Sequence, residues 1–195
     1  MSNFPVSVAV EGPTDAAIAR RLLTHVNLSI GSVYGQRGKG FLDLKLPGYN
    51  AAARFSPWLI LRDLDRDAAC APDLIVHLLP APSSQMRLRI AVVSAEAWLL
   101  SDRRGFARFL GVAASQIPAD PETIRSPKGL VVDLARHSPR RSIRTDMVPA
   151  PGTTAKVGPA YTARIIEFVT NAWRPDLAAS SSASLRKCIE RLRSW

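Results

Sequence analysis

The stretch that most limits what this chain can become is PWLILRDLDRD, residues 57–67, where Trp58, Leu59, Ile60 and Leu61 run uninterrupted before the charges begin. A short apolar run bounded by proline and charge reads as a strand buried on both faces, the kind that fills parallel sheets. Two more runs resemble it, at residues 4–10 and in RLRIAVV at 87–93. Helical patterns follow all three. After the first, Ala17, Ile18, Leu22 and Val26 fall at helical spacing with Thr14 or Asp15 as the cap; APDLIVHLL and AEAWLLSD follow the other two. LSIGSVYG, residues 28–35, reads as one more strand, with a weak helix around 42–54. Strands alternating with helices predict an α/β fold, a mostly parallel sheet flanked by helices.

Beyond Gly111 the character changes. Pro and Ser recur through residues 115–160, where only SPKGLVVDLARHS suggests a helix, so a long mobile excursion is expected. Helices are expected again over 159–173 and 183–193, with the serines at 180–182 marking the turn between them. The predicted organisation is an α/β core over 1–112, and an irregular segment with a C-terminal helical extension over 113–195 packing on the same domain. At 195 residues, with 47% apolar and 22% charged residues, the chain suits one globular domain.

The formal charge of +10 and a pI near 10.6 point to a polyanionic partner, nucleic acid first. Cys70 and Cys188 have no second pair or histidine spacing that would suggest zinc or a disulfide framework, which makes a reducing cytoplasm the expected compartment. MSNFPVSVAV lacks a basic leader and a small-residue cleavage site, and no apolar run approaches the ~20 residues that span a bilayer. No membrane association is expected.

Acids mark the strand ends. Glu11 follows the first strand, Asp63 ends the next clear one with Asp65 and Asp67 close behind, and Glu96 comes just after the third. Open parallel sheets bind ligands outside the carboxyl ends of their strands, so these side chains are expected to converge there. Carboxylates so close repel one another unless a cation neutralises them or some stay protonated. Oxygen ligands select magnesium, manganese or calcium over zinc. Each acid also has a plainer reading: Glu11 as a helix-start acid, the aspartates as a solvated turn, Glu96 and Asp102 as surface charges on a helix. An EF-hand is excluded, because Ala68 and Leu74 stand where that loop needs Gly and Glu. GQRGKG, residues 35–40, has neither the dinucleotide fingerprint nor the Walker spacing; its Arg37 and Lys39 read as phosphate contacts or as a solvated turn. Arg140, Arg141, Arg144, Lys156 and Arg164 in the later irregular region read equally as phosphate contacts or a charged face. His25, His77 and His137 are unclustered, and no nucleophile elbow is present.

VAVEGPTD followed by LILRDLDRD resembles the TOPRIM pattern, a glutamate after the first strand and a D-x-D pair after a later one. VVSAEAWLLSD is similar to the small TOPRIM-like families related to the OLD-type nucleases. The resemblance covers the first half to three-fifths of the chain. It implies a Rossmann-like TOPRIM sheet, with Glu11 as metal ligand or acid–base group, Asp63 and Asp65 as a magnesium-binding pair, and Gly12 permitting the tight turn. Glu96 and Asp102 would complete a second metal position, and Lys156 or Lys128 would be the lysine that assists some members. Mg2+ or Mn2+ is the implied cofactor. No ATPase motif accompanies the pattern, which makes a separately encoded ATPase the implied partner, and the chain is too short for a strand-passing topoisomerase. The expected function is a Mg2+-dependent phosphodiesterase acting on DNA or RNA, with Glu11, Asp63, Asp65 and Lys156 as its catalytic residues. The alternative is a non-hydrolytic, metal- and nucleic-acid-binding module that regulates the ATPase. A nucleotide-handling enzyme on a similar sheet is a weaker third reading; a receiver domain would need two acids where VEG offers one.

Overall fold

The computed structural model describes residues 5–195, so Phe4, the first residue of the expected opening strand, lies outside the described residues together with residues 1–3. Four strands, β1 (Val6–Val10), β2 (Ile30–Gly35), β3 (Trp58–Asp63) and β4 (Met86–Ala91), form one sheet in the order β2-β1-β3-β4. Every pairing is parallel. Val8 stands beside Leu59, and β3 runs in register with β4 from Trp58–Met86 to Asp63–Ala91. The two central strands are those with the most continuous apolar runs, whereas edge strand β2 is half exposed. This is the α/β architecture that the alternating pattern predicts.

Side chains alternate across the strands, and each face has its own helices. One face presents Val6, Val8, Val10, Leu59 and Leu61 to α1 (Pro13–His25) and to the C-terminal helices. The other presents Ala9, Trp58, Ile60, Leu88 and Ile90 to α2 (Lys39–Ala52) and α3 (Ala71–Leu78). α4 (Ala95–Ser101) and α5 (Arg103–Leu110) follow β4; every residue of α4 is buried.

Two helix starts differ from expectation. Gly12, not Thr14 or Asp15, caps α1, with Pro13 at the first helical position and Asp15 one turn in. α2 begins at Lys39, earlier than residue 42, and carries Pro47 within it. The larger difference is in residues 115–160. The helix expected in SPKGLVVDLARHS is present as α6 (Pro127–Arg136), but the rest is not an irregular excursion: short 3-10 turns stand at Ala114–Gln116 and Pro121–Thr123, and α7 (Arg141–Met147) follows α6. Pro121 and Pro127 stand at helix starts, where their missing N–H has no partner to lose, so the prolines that look like breakers are initiators. Val131, Val132, Leu134, Ile143 and Met147 are buried in the core shared with β1 and β3. α8 (Tyr161–Asn171), α9 (Pro175–Ala179) and α10 (Ala183–Arg193) complete the chain and join that same core through Ile165, Phe168, Ala178 and Leu185. Among the described residues, no helix is long and apolar enough to cross a membrane.

Candidate active site

Because β1, β3 and β4 are neighbours with aligned directions, the residues just past their carboxyl ends meet at one edge of the sheet. Glu11 comes off β1, and its Oε1 accepts the Asp63 backbone N–H at 2.9 Å. Asp63 ends β3, and its Oδ1 accepts the N–H of Ala95 at the start of α4 at 2.8 Å. Glu96, only 5% exposed in the first turn of α4, accepts the Ser94 hydroxyl at 2.9 Å. A fourth acid joins them: Asp15, whose Oδ2 accepts the Gly12 N–H at 2.9 Å. The Asp15 and Glu96 bonds tie those carboxylates to their own turns, while the Glu11 and Asp63 bonds tie one strand end to the next.

Three of the four have raised proton affinities. Burial pushes Asp15 up to about 7, with the Glu11 and Glu96 charges adding to the rise. Asp63 is pushed well above the usual carboxylate range, first by burial and then by Asp15, Glu96 and Glu11. Glu11 is also raised by burial, though the Asp63 N–H and the nearby Arg62 charge work against the shift. Two cations face the group. Lys128, at the start of α6, places its Nζ 3.3 Å from Glu96 Oε1. Burial opposes its charge, but Glu96, Asp63 and Asp15 outweigh that cost and hold its pKa above the ordinary value. Arg62, only 3% exposed, approaches Glu11 at 3.5 Å but spends most of its donors on Asp43, at 3.1 Å twice, and on Asp67 at 2.5 Å. Tyr161 reaches Glu96 Oε1 at 3.5 Å.

Glu11, Asp63 and Glu96 are thus the expected acids that the fold brings together. Asp65 lies near enough to raise Glu11, but its carboxylate turns to the rim, where Lys39 holds it at 2.9 Å. Its backbone is left-handed, φ 49°, a conformation aspartate tolerates better than most residues. Asp102 is not with the cluster: 2% exposed, it caps α5 through the Gly105 N–H and forms a two-pronged ion pair with Arg174, at 2.9 and 2.5 Å. Its charge is already satisfied, which removes it from the ligand set that the resemblance implies. Lys156 is exposed in the loop before α8, while Lys128 stands against the acids. Lys39 bonds Asp65 and Asp67, not an open surface. Arg37 is exposed near the site, over the Phe41 ring. Arg140 and Arg144 donate to the Phe109 and Ser138 carbonyls at the end of α6 away from Lys128, with exposed Arg141 between them. Gly12 is extended, φ −151°, and a Cβ there would meet nothing closer than 3.7 Å, so the turn does not require glycine. Gly35 does: its φ is 84°, and a Cβ would lie 2.3 Å from the Val10 carbonyl oxygen.

Sequence reading missed Asp15 as a site member, although it stands four residues after Glu11 in VEGPTD. A helix that begins at Pro13 carries its first turn back over the strand end, which places that residue beside the glutamate. Among the described residues no three His, Cys, Asp or Glu side chains stand grouped so as to ligate one ion. No family model, no curated protein and no solved structure matches this chain.

Proposed function

We propose that the chain is a divalent-metal-dependent phosphodiesterase acting on nucleic acid, with Glu11, Asp15, Asp63 and Glu96 at its centre. One observation carries this reading: Glu11, Asp15, Asp63 and Glu96, partly or wholly buried, gather at the carboxyl edge of a parallel sheet, and burial together with neighbouring negative charge raises the proton affinities of the first three. Such a group takes up either protons or a hard cation. The donor chemistry, all oxygen and excess negative, suits Mg2+ or Mn2+; no three of these side chains now stand grouped around one point, so Glu11, Asp63, Asp15 and Glu96 would hold the ion only by turning their carboxylates toward it. Bound there, it would supply Lewis acidity toward a phosphate oxygen.

The chain's own groups do the rest. The Asp63 and Ala95 N–H bonds fix the carboxylates of Glu11 and Asp63, so neither must reorganise when a phosphate arrives. Lys128 supplies a positive charge on the exposed side of the cluster, suited to the scissile phosphate. The overall charge of +10 favours capture of a polyanion, with affinity that falls steeply as salt rises. The second reading, a non-hydrolytic module that regulates an ATPase encoded separately, draws on Lys128 as well, because a built-in ammonium lets the acids persist without a metal.

The test is incubation with labelled single- and double-stranded DNA and RNA in Mg2+ or Mn2+. Cleavage that disappears in EDTA and in Glu11→Gln and Asp63→Asn supports the enzyme. Cleavage that survives both substitutions unchanged, or none with any substrate, removes it.

A further inference from the structure

Along the flank of α2 that faces the open edge of the sheet, rings alternate with cations. Phe41 and Lys45 stand one turn apart on the helix and Arg37 lies just ahead of its start, with the Arg37 guanidinium 4.8 Å and the Lys45 ammonium 5.8 Å from the Phe41 ring centroid. One step further, Tyr49 stacks on Trp58 at 5.1 Å, and Trp58 stacks on Tyr34 of β2 at 5.1 Å. Asp43 and Asn50 identify the opposite flank, since they bond Arg62 of β3 and the residues Ala81 and Ser83 ahead of β4. The stripe therefore runs down the β2 side of the helix, advancing about 6 Å at each step.

Three observations separate this stripe from ordinary surface. Tyr34 is 42% exposed, its ring held in a stack, not free to rotate away. Arg37 and Lys45 are exposed, and among the described residues neither forms an ion pair. The upper end of the stripe is pinned to the acid site: the Gln36 and Gly38 N–H groups donate to the Val10 and Glu11 carbonyls at 2.8 and 2.9 Å, with Gly35, Gln36 and Gly38 all at positive φ. Arg37 is thereby fixed beside the strand end that carries Glu11.

We infer that this stripe binds single-stranded nucleic acid, with bases stacked on Tyr34 and Phe41 and phosphates on Arg37 and Lys45, and leads the strand to Glu11. The inference rests on the nuclease reading above and narrows its substrate to unpaired strands. A duplex hides its base faces, so cations alone would hold it while the rings would have nothing to stack on. An unpaired base has a free face whatever its identity. A base arriving over Phe41 displaces one of the two cations now resting there, which is then free for the adjoining phosphate.

The test measures binding in EDTA, apart from any cleavage, using fluorescence anisotropy of labelled single strands and duplexes of equal length. Single strands are expected to bind about tenfold tighter than duplex, and Tyr34→Ala and Phe41→Ala each to weaken them about tenfold, as lost base stacking does. Tyr34→Phe, which keeps the ring, should bind like the parent, and melting curves confirm that each variant is folded. Equal affinity for duplex, or a folded Tyr34→Ala/Phe41→Ala double variant that binds single strands like the parent, overturns the stripe. The two proposals fail separately. Acid-dependent cleavage with binding indifferent to Tyr34 and Phe41 leaves the nuclease reading standing and removes the stripe. Ring-dependent binding without cleavage in Mg2+ or Mn2+ does the reverse.

Discussion

The molecule holds its buried acids in two ways. Asp102 is enclosed with its counter-charge: Arg174 takes both oxygens, and the Gly105 and Arg174 N–H groups complete the set. Glu11, Asp15, Asp63 and Glu96 are enclosed with one another, and among the described residues the cations against them are Lys128 and the edge of an Arg62 already committed to Asp43 and Asp67. The same chemical group is a structural pin in one region and a stored repulsion in the other. Groups whose proton affinities are shifted by burial and by one another mark candidate functional sites, and this difference makes the sheet edge, not the Asp102 pocket, the candidate site.

The contrast predicts opposite responses to loss of charge. Asp63→Asn keeps an acceptor for the Ala95 N–H while removing a charge that its neighbours oppose. Cleavage in Mg2+ should fall on the order of a thousandfold, while melting at pH 8 stays level or rises. A variant that loses activity because it unfolds would contradict this. Asp102→Ala should do the reverse. Because Arg174 is exposed enough for water to take up its charge, the loss is mainly that of the hydrogen bonds to the Gly105 and Arg174 N–H groups, about 1–3 kcal/mol, read as a lowered denaturant midpoint, with no change in the metal dependence of whatever folded protein remains. Gly105 belongs to the same pocket: a Cβ there would lie 2.3 Å from Asp102 Oδ2, so Gly105→Ala should move in the same direction.

How far the sequence discloses this difference depends on how local each cause is. The strands were legible because four apolar residues in succession have few other places to go, and Glu11, Asp63 and Glu96 because each sits directly after such a run. Asp102 and Glu96 share one segment, AEAWLLSD, and their composition is equivalent. What separates them is Arg174, seventy-two residues away, which no local pattern announces. Which of Lys128 and Lys156 stands beside the acids is likewise a matter of where α6 packs, which brings Lys128 to Glu96. Asp15 was legible in principle, since its distance from Glu11 is four residues, yet its meaning changes with the helix start that Pro13 sets. Within residues 115–160, α6 was legible from SPKGLVVDLARHS, whereas the turn at Pro121–Thr123 and α7 stayed hidden: the first opens on a proline that resembles linker composition, and the second is seven residues long with only Ile143 and Met147 buried.

Proton uptake gives a smaller but continuous measure of the stored repulsion. Asp15 sits near 7 in the folded chain against about 3.9 in an unfolded one, so the folded state binds the extra proton between those values. Stability in EDTA should therefore be greatest at the acid end of that window and decline as pH rises from about 4 to 7, levelling beyond it. Asp63, raised as well, adds to the decline. At pH 8, Mg2+ at a hundred times its dissociation constant should return about 2.7 kcal/mol, and Glu11→Gln should diminish that gain. Thermal melts with and without Mg2+ across this range read both effects. A flat pH profile, or one that rises toward pH 8, would mean that the four carboxylates are not in contact with each other's charge.

The smallest expected effect concerns the rim, which lies between the two regions in kind. Asp65 and Asp67 are paired, like Asp102, but with the exposed Lys39, and such a pair contributes no more than about 1 kcal/mol. Lys39→Ala should therefore shift the denaturant midpoint only slightly. Asp65→Asn should change cleavage by less than about tenfold, because its carboxylate faces away from Glu11 and Asp63 toward the ammonium. Asp65 is nonetheless the second acid of the D-x-D pair, and its charge already reaches Glu11. If Asp65→Asn loses as much activity as Asp63→Asn, the Lys39 contact is a resting position that substrate or metal displaces, and the working ligand set extends from the strand ends onto the rim. In that event Lys39→Ala, by freeing Asp65, should tighten Mg2+ binding in the same melting assay, whereas a rim that is only structural leaves it where it was.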